Sequence, residues 1–570
     1  MNLLKKRSSW IAGAVACSGL LAFAGSAQQK SNDVSMLRPK ARVVITDDPE
    51  LDDNNTIIRA LLYSTDYKIE GIIYTSSGVH WKGDGKGTKY TGHGEWDRVP
   101  GANCPCTSWR FAPDEHFIDA IADAYRQVYP NLKVHDSDYP PPDYIKSKIK
   151  WGNVEFVGDF SKDTDGSNLI KSLLLDDQPG PLYVTAGGGQ STIARALYSI
   201  REQYVNTPQW YDIRDKVSRK LIIIPFGDQD GTYASYIAPN WSEVDEWRLA
   251  MVNFGYGVRG SLPPEDQMYV RAAWTEENIS NRGPLGALYR VWGDGKQMAK
   301  GDMTDFFGLS GLTADQLKAM GYYVWTTPQE KGSFISEGDT PTFMNLLDNG
   351  LRAYEDSSFG GWGGRVRAET PQVGRGAQTP TGPAANSGGA AASGAPASNS
   401  ALVANANPIQ QAANAGGQAG GRGAGGFGRG PRLPVQVAAI YARFFVAAQN
   451  DFAARLKWSV TSKYSDANHN PIVTIDGPLN ISARVGSTVS LRGKISDPDG
   501  DSVNVKWWQY NDAGTYPADI TFSSRDALTT SFQIPSDAKP GQTIHVIFEG
   551  TDNGTPPLTR YQRVIVTVAP

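Results

Sequence analysis

The segment 43–64, VVITDDPELDDNNTIIRALLYS, passes from an apolar run to an amphipathic one through four aspartates, Asp47, Asp48, Asp52 and Asp53, set within seven positions. The run ARVVITDD reads as a strand. NTIIRALLYS reads as a helix with Ile57, Ile58, Leu61 and Leu62 on one face. The turn PEL between them brings Asp52 and Asp53 back over the strand end near Asp48. Carboxylates so crowded repel one another unless a cation sits among them. A helix start also favours aspartate as a cap and as a partner of the helix dipole, which gives one or two of the four a purely structural use. Four at a strand's carboxyl end exceed that use. They point to a hard cation such as Ca²⁺, which takes about six to eight oxygen ligands.

The same strand-then-helix rhythm continues downstream. YKIEGIIYTSS is a strand, DEHFIDAIADAYRQVY a helix, GPLYVTAGG a strand, STIARALYSIREQY a helix and KLIIIPFGD a strand. Such alternation predicts an α/β domain with a mostly parallel sheet flanked by helices. Ligands in such sheets gather at the carboxyl ends of the strands, where the aspartates, TAGGGQ and FGDQDG all fall. TAGGGQ lacks the lysine and the spacing of a phosphate-cradling P-loop.

Residues 366–433 change character: Gly, Ala, Pro and Ser dominate and large apolar side chains are scarce, a composition that does not offset its ordering entropy. The next stretch, VQVAAIYARFFVAAQNDFAARLKWSV (435–460), is a strong helix pattern that needs a core to pack on, so 366–433 reads as an insertion within one α/β domain spanning 38–462. From 466 to 570, PIVTIDG, STVSLRGKI, VNVKWWQY, TSFQIP, TIHVIFEGTD and QRVIVTVAP alternate as short strands, which predicts an all-β sandwich. DTDGSN (163–168) and DPDGDS (497–502) also offer carboxylates for calcium, but Asp-Gly pairs favour turns, and both read first as polar turns.

A length of 570 residues suits two or three domains, and a net charge of −4 gives no electrostatic case for a nucleic acid polymer. MNLLKKRSSW followed by IAGAVACSGLLAFA and GSAQ has the basic, apolar and small-residue zones of a secretory signal cleaved after Ala27, so residues 1–27 are set aside. Lipid anchoring at Cys17 has little apolar sequence ahead of it to support it. Beyond residue 27 no apolar run is long enough to cross a bilayer, so a secreted or periplasmic protein is expected. The remaining Cys104 and Cys106 suit one local disulfide or two free thiols.

The spacing D-P-x-x-D-D resembles the D-x-D-P-G-x-D-D signature of nucleoside hydrolases: Asp48, Pro49, Asp52 and Asp53 match, while Thr46 and Glu50 depart from it. The resemblance implies a calcium ion held by Asp48, Asp53, Asp339 and a backbone carbonyl, that of Gly187 or of its rival Thr185. It also implies Asp48 as the base that activates water, and Asp52 with Glu276 and Asn278 (in TEENI) as sugar contacts. Gly338 stands where that family has a histidine linked to leaving-group protonation. His80, in SSGVHW after the second strand, is the remaining histidine candidate for the pocket. DDNNTIIRALLYSTDYKIEGIIYTSS, GGWGGR and AAQNDFAARLKW…DANHNP further resemble secreted bacterial cellulose-binding proteins with a nucleoside-hydrolase-like domain. DPDGD and TDNGTPPLTRYQRVIVTV resemble cadherin-type repeats, which implies an Ig/cadherin-like sandwich. Two functions follow as expectations: a calcium-dependent hydrolase of N-ribosidic or other glycosidic bonds, and a non-catalytic accessory protein that binds cellulose or another polysaccharide.

Overall fold

The computed structural model describes residues 40–92, 96, 99, 102, 104–248, 254–365 and 435–570. The expected signal, Cys17 and the insertion 366–433 lie outside them. Six strands form one sheet: β1 (Ala41–Asp47), β2 (Tyr67–Tyr74), β3 (Ile149–Trp151), β4 (Leu182–Ala186), β5 (Leu221–Pro225) and β6 (Asp245–Glu246). Their order is β3-β2-β1-β4-β5-β6 and every pairing is parallel. The chain winds outward from β1 in one direction through β2 and β3, then in the other through β4, β5 and β6. A crevice therefore opens beyond the carboxyl ends of β1 and β4, where the winding reverses.

β1 is buried along its whole length, as a central parallel strand covered on both faces must be. Val43 and Ile45 face a core shared with α1 (Leu51–Leu62), α2 (Phe117–His135), α3 (Pro142–Lys148) and the long helix Val435–Val460. Val44 faces the opposite core, built with α4 (Asp165–Leu175), α5 (Ser191–Tyr204) and α6 (Trp210–Lys220). Gly71 of β2 lets α4 settle on the sheet: a Cβ there would lie 2.9 Å from Leu169 Cδ2. The long helix buries Phe444, Phe445, Phe452 and Leu456. It is anchored by Arg455, which donates to the Leu62 carbonyl at 2.8 Å and to Asp66 at 2.9 Å. Cys104 and Cys106 are joined as a disulfide. Among the described residues no helix is long and apolar enough to cross a membrane.

Residues 254–345 run mostly through short helices and turns, and two stubs, β7 (Phe254–Gly255) and β8 (Ser336–Glu337), pair antiparallel. C-terminal to the long helix come two sheets. One is β10 (Asn480–Arg484), β15 (Thr559–Ala569), β14 (Thr543–Asp552) and β12 (Val503–Gln509), in that order. The other is β13 (Thr529–Gln533), β11 (Thr488–Ser496) and β9 (Ile472–Ile475). Trp507, Phe548, Leu491, Phe532 and Val566 fill a common core. Within the sandwich, β10 is the strand the sequence reading lacks. Its residues, NISAR, carry one large apolar side chain, and it lies parallel to β15 rather than in a hairpin. The sandwich is fastened to the rest of the chain by Arg563, fully buried, which donates to the carbonyls of Phe359 at 2.9 Å and Gly360 at 2.8 Å.

Candidate functional site

Asp47 closes β1, Asp48 follows it, and Asp52 and Asp53 stand in the first turn of α1. Asp339 arrives from far along the chain, on the turn after β8. All five carboxylates are buried, none more than 5% exposed. Carboxylate oxygens of Asp47, Asp53 and Asp339 lie within 4.8 Å of one another. Asp47 Oδ2, Asp48 Oδ1 and Asp53 Oδ2 are buried without a hydrogen-bond partner. Burial pushes the Asp47, Asp53 and Asp339 carboxyls well above the usual range, and the neighbouring aspartates add to the push. Burial together with Asp48 raises Asp52 to about 6.

Asp48 has different surroundings. Ser77 Oγ donates to its Oδ2, and His80 Nδ1 lies 3.0 Å from the same atom. Burial alone would raise this carboxyl, but the His80 ring, Asp53 and Ser77 together hold it below its ordinary value. His80 is fully buried and its Nε2 has no partner. Asp52 Oδ2 accepts from the Gly338 backbone N–H at 3.1 Å. The residue at the histidine position therefore contributes a backbone donor and no side chain.

The glycines of TAGGGQ are explained by crowding at the end of β4. A Cβ on Gly187 would lie 2.0 Å from Asp47 Oδ1 and 2.6 Å from Asp339 Oδ2, and one on Gly188 would lie 3.2 Å from Asp48 Cβ. The Gly187 carbonyl accepts from the Gln229 amide. Asp339 is held by what lies beside it. Glu337 is paired with Arg59 of α1, both fully buried, and Thr340 Oγ1 donates to Glu337 Oε2 at 2.9 Å. Arg59 also donates to Gln449 Oε1 at 2.7 Å and sits 3.9 Å over the Phe452 ring. The long helix and α1 thus brace the turn that carries the last carboxylate.

The structure brings Asp48, Asp52, Asp53, Gly187, Asp339 and His80 to one place. Glu276 and Asn278 make contacts elsewhere: Glu276 is exposed and lies near Gly332, and Asn278 donates to the Trp274 carbonyl at 3.0 Å. Asp47 stands in the convergent trio at the place the resemblance gives to Asp48, which lies instead against His80. Thr46, at the position of the missing first aspartate, is used inside the sheet, donating to the Thr185 carbonyl at 3.1 Å. The crowding of Asp47 with the other three was the available signal. Ser77, Gln229 and the Arg59–Glu337 pair left no signal, because each acts through partners distant in sequence. Tyr74 and Trp81 are buried in aromatic packing; Tyr74 stacks on Trp151 at 4.3 Å.

The donor set of that trio suits a hard divalent cation: oxygen atoms only, three converging carboxylates and unpartnered oxygens. A zinc-type site would instead draw on thiolates or several imidazoles.

Comparison with known proteins agrees with this architecture. No curated protein matches the chain. A solved structure, described as a nucleoside hydrolase-related hypothetical protein from Saccharophagus degradans that is associated with carbohydrate metabolism, is similar over 93% of this chain and 100% of its own, at 25% identity and a TM-score of 0.61. The family described as the C-terminal domain of cellulose-binding protein Sde0182 matches residues 488–568. The family described as cellulose-binding Sde182, nucleoside hydrolase-like domain, matches residues 42–366, more than half of the chain, and the protein belongs to that family.

Proposed function

We propose that this is a secreted or periplasmic, calcium-dependent hydrolase that cleaves an N-ribosidic or other glycosidic bond at the β1–β4 crevice. The observation that carries the reading is the convergence of Asp47, Asp53 and Asp339 beside the Asp48–His80 pair, with buried carboxylate oxygens left unpartnered. Asp47, Asp53 and Asp339 would hold a calcium ion, which when bound would grip a sugar diol and lower the pKa of water. Asp48 is the base: its carboxyl stays ionised, its Oδ2 is fixed by Ser77 and His80, and its Oδ1 is free to take a proton. Asp52, oriented by the Gly338 N–H, accepts from a sugar hydroxyl. Gly338 brings no proton to the leaving group, so that duty falls to His80 or to a leaving group that departs unaided. The disulfide at Cys104 and Cys106 supports an oxidising compartment.

A second reading is favoured by two observations: the carboxylates are almost wholly buried, and the protonating histidine is replaced by Gly338. In that reading the centre braces a polysaccharide-binding protein, in line with the cellulose-binding description of the family. One panel separates the two. The mature protein is assayed on nucleosides and plant oligosaccharides with and without EDTA, beside a pull-down on insoluble cellulose. The hydrolase reading expects release of reducing sugar, abolished by EDTA and reduced at least about a thousandfold by Asp48→Ala, the order of a lost base with its positioned water. Retention on cellulose with no turnover, indifferent to Asp48→Ala, would leave only the binding reading.

A further inference from the structure

The loop after β5 brings one more polar side chain to the crevice. Its residues, FGDQDGT (226–232), turn at Gly227 and Gly231, whose φ values of +82° and +71° suit glycine. The two aspartates of the loop are spent on holding it. Asp228 accepts from the backbone N–H groups of Tyr233 at 3.1 Å and Ala234 at 3.0 Å. Asp230 accepts from those of Thr232 at 3.0 Å and, across at the start of α5, Ser191 at 2.9 Å. Between them the Gln229 carbonyl accepts from the Gly78 N–H at 3.0 Å, on the turn that carries Ser77 and His80. The backbone around Gln229 is therefore pinned on both sides and to two neighbouring segments.

The side chain presented there is that of Gln229, a residue 8% exposed. Its Nε2 donates to the Gly187 carbonyl, while its Oε1 is buried without a partner. Gly187 is the residue crowded against the carboxylate trio, where a Cβ would lie 2.0 Å from Asp47 Oδ1 and 2.6 Å from Asp339 Oδ2. The loop needs neither end of this amide to hold its shape, because the flanking aspartates and the backbone already do so. A buried amide oxygen with no donor carries a desolvation cost that nothing in the loop returns. Beside carboxylates and a carbonyl, an amide turns its N–H end inwards. A divalent cation at the trio reverses that preference, since it repels the N–H and attracts the carbonyl oxygen. The last torsion of a glutamine is broad and roughly two-fold, so Nε2 and Oε1 can change places without moving the pinned backbone.

We propose that Gln229 is a further ligand of the cation held by Asp47, Asp53 and Asp339, its amide turning so that Oε1 takes the place Nε2 has beside the Gly187 carbonyl. The inference rests on the calcium reading of the crevice. It adds a side chain to the donors that the nucleoside hydrolase resemblance implies, three carboxylates and a backbone carbonyl. Calcium takes about six to eight oxygens and accepts amide carbonyls among them. Three carboxylates and one carbonyl fall short of that number unless the carboxylates bind through both oxygens. Charge favours a neutral addition: three carboxylates already exceed the two charges of the ion, so an amide oxygen extends the coordination without adding repulsion.

The test titrates the mature full chain, stripped with EDTA, with calcium by calorimetry. The crevice component is the binding that wild type has and Asp53→Asn/Asp339→Asn lacks. Gln229→Leu should weaken that component at least about tenfold, the lower end of the cost of losing a metal-site partner. Gln229→Glu keeps an oxygen at the same reach and has no N–H, and it should recover the loss. A glutamine that only occupies the Gly187 carbonyl competes with the ion, so its removal would leave binding unchanged or tighter. Either of those results, in a Gln229→Leu chain shown folded by near-UV circular dichroism, overturns the proposal. A Gln229→Glu chain that is folded yet binds at least about tenfold more weakly than wild type overturns it independently. If wild type and Asp53→Asn/Asp339→Asn bind calcium identically, the calcium reading of the crevice falls and the inference falls with it. If the component exists and survives Gln229→Leu, the inference falls alone.

Discussion

Two groups of buried carboxylates in the same domain are treated in opposite ways. Asp451, on the long helix and 1% exposed, receives Arg455 Nε at 3.0 Å and Arg560 Nη1 at 2.9 Å. Burial would raise its carboxyl, but the two guanidiniums hold it well below the usual range. Asp47, Asp53 and Asp339 are as deeply buried, yet among the described residues no arginine or lysine pairs with them, and their carboxyls are pushed up. The chain can neutralise a buried carboxylate with its own cations, and does so at Asp451 and at the Arg59–Glu337 pair. It does not do so at the crevice, and that is the charge the proposed calcium ion would balance.

The largest effect expected from this contrast is on stability. Arg455→Ala leaves Asp451 with Arg560 alone, takes the ion-pair partner from Asp66 and removes the anchor of the long helix, so the loss should be about 3–5 kcal/mol, the range for breaking a buried ion pair. Urea denaturation measures it. Asp53→Asn/Asp339→Asn should behave oppositely in EDTA, matching or exceeding wild-type stability, because it removes mutually repelling charges. If that variant is destabilised as much as Arg455→Ala, the crevice carboxylates are balanced by the protein and the contrast is void.

Ligand dependence comes next. At a hundredfold excess over its Kd, an ion that binds only the folded chain adds about 2.7 kcal/mol. Wild type should gain that increment from the crevice, and Asp53→Asn/Asp339→Asn should lack it at the same calcium concentration, as read from paired thermal melts.

The pH response carries the same sign information. In the metal-free chain the Asp47, Asp52, Asp53 and Asp339 carboxyls have folded pKa values above their unfolded ones, so the folded state holds more protons and stability falls as pH rises through the folded values. Asp451 is the reverse case: its contribution is present above the unfolded carboxylate range and lost only in strong acid. In EDTA the protein should therefore be less stable at pH 8 than at pH 5, and saturating calcium should flatten that slope. An unchanged slope with calcium would detach the crevice carboxylates from metal binding.

The sequence reading went furthest where the physics is local. β1, α1, β2, β4, α5, β5 and the long helix follow from apolar periodicity, and the crowded aspartates follow from simple counting. It stopped where a role depends on partners far along the chain. Asp47 and Asp48 are neighbours in sequence, but only the folded strand end turns Asp47 towards Asp339 and Asp48 towards Ser77 and His80. Glu337 reads as an ordinary acidic residue until Arg59, 278 positions away, is seen against it. DPDGD reads as a turn and forms one, with Asp497 Oδ1 accepting from the Asp499 and Asp501 N–H groups. β10 escaped because a partly exposed, mostly polar strand that pairs in parallel has neither a hydrophobic run nor a hairpin turn to announce it.

The smallest effect concerns the one crevice carboxylate that the protein does keep ionised. Ser77 Oγ donates to Asp48 Oδ2, and the same oxygen receives the backbone N–H groups of Val79 at 3.0 Å and His80 at 3.1 Å. Ser77 therefore both stabilises the charged form of Asp48 and shapes the turn that presents His80. Ser77→Ala removes one neutral-to-charged hydrogen bond, of about 1.5–3 kcal/mol. Because that bond favours the ionised carboxylate, its loss moves the Asp48 pKa upward, and a step that needs Asp48 as base should show its acid limb shifted to higher pH by about one unit, since one unit corresponds to about 1.4 kcal/mol. The limb is read from kcat/KM against pH on whichever substrate the panel identifies, with Ser77→Thr, which keeps a hydroxyl, restoring it. A Ser77→Ala enzyme with a lower rate at every pH but an unmoved limb would mean that Ser77 serves the turn alone, and that burial and His80 by themselves set the state of Asp48.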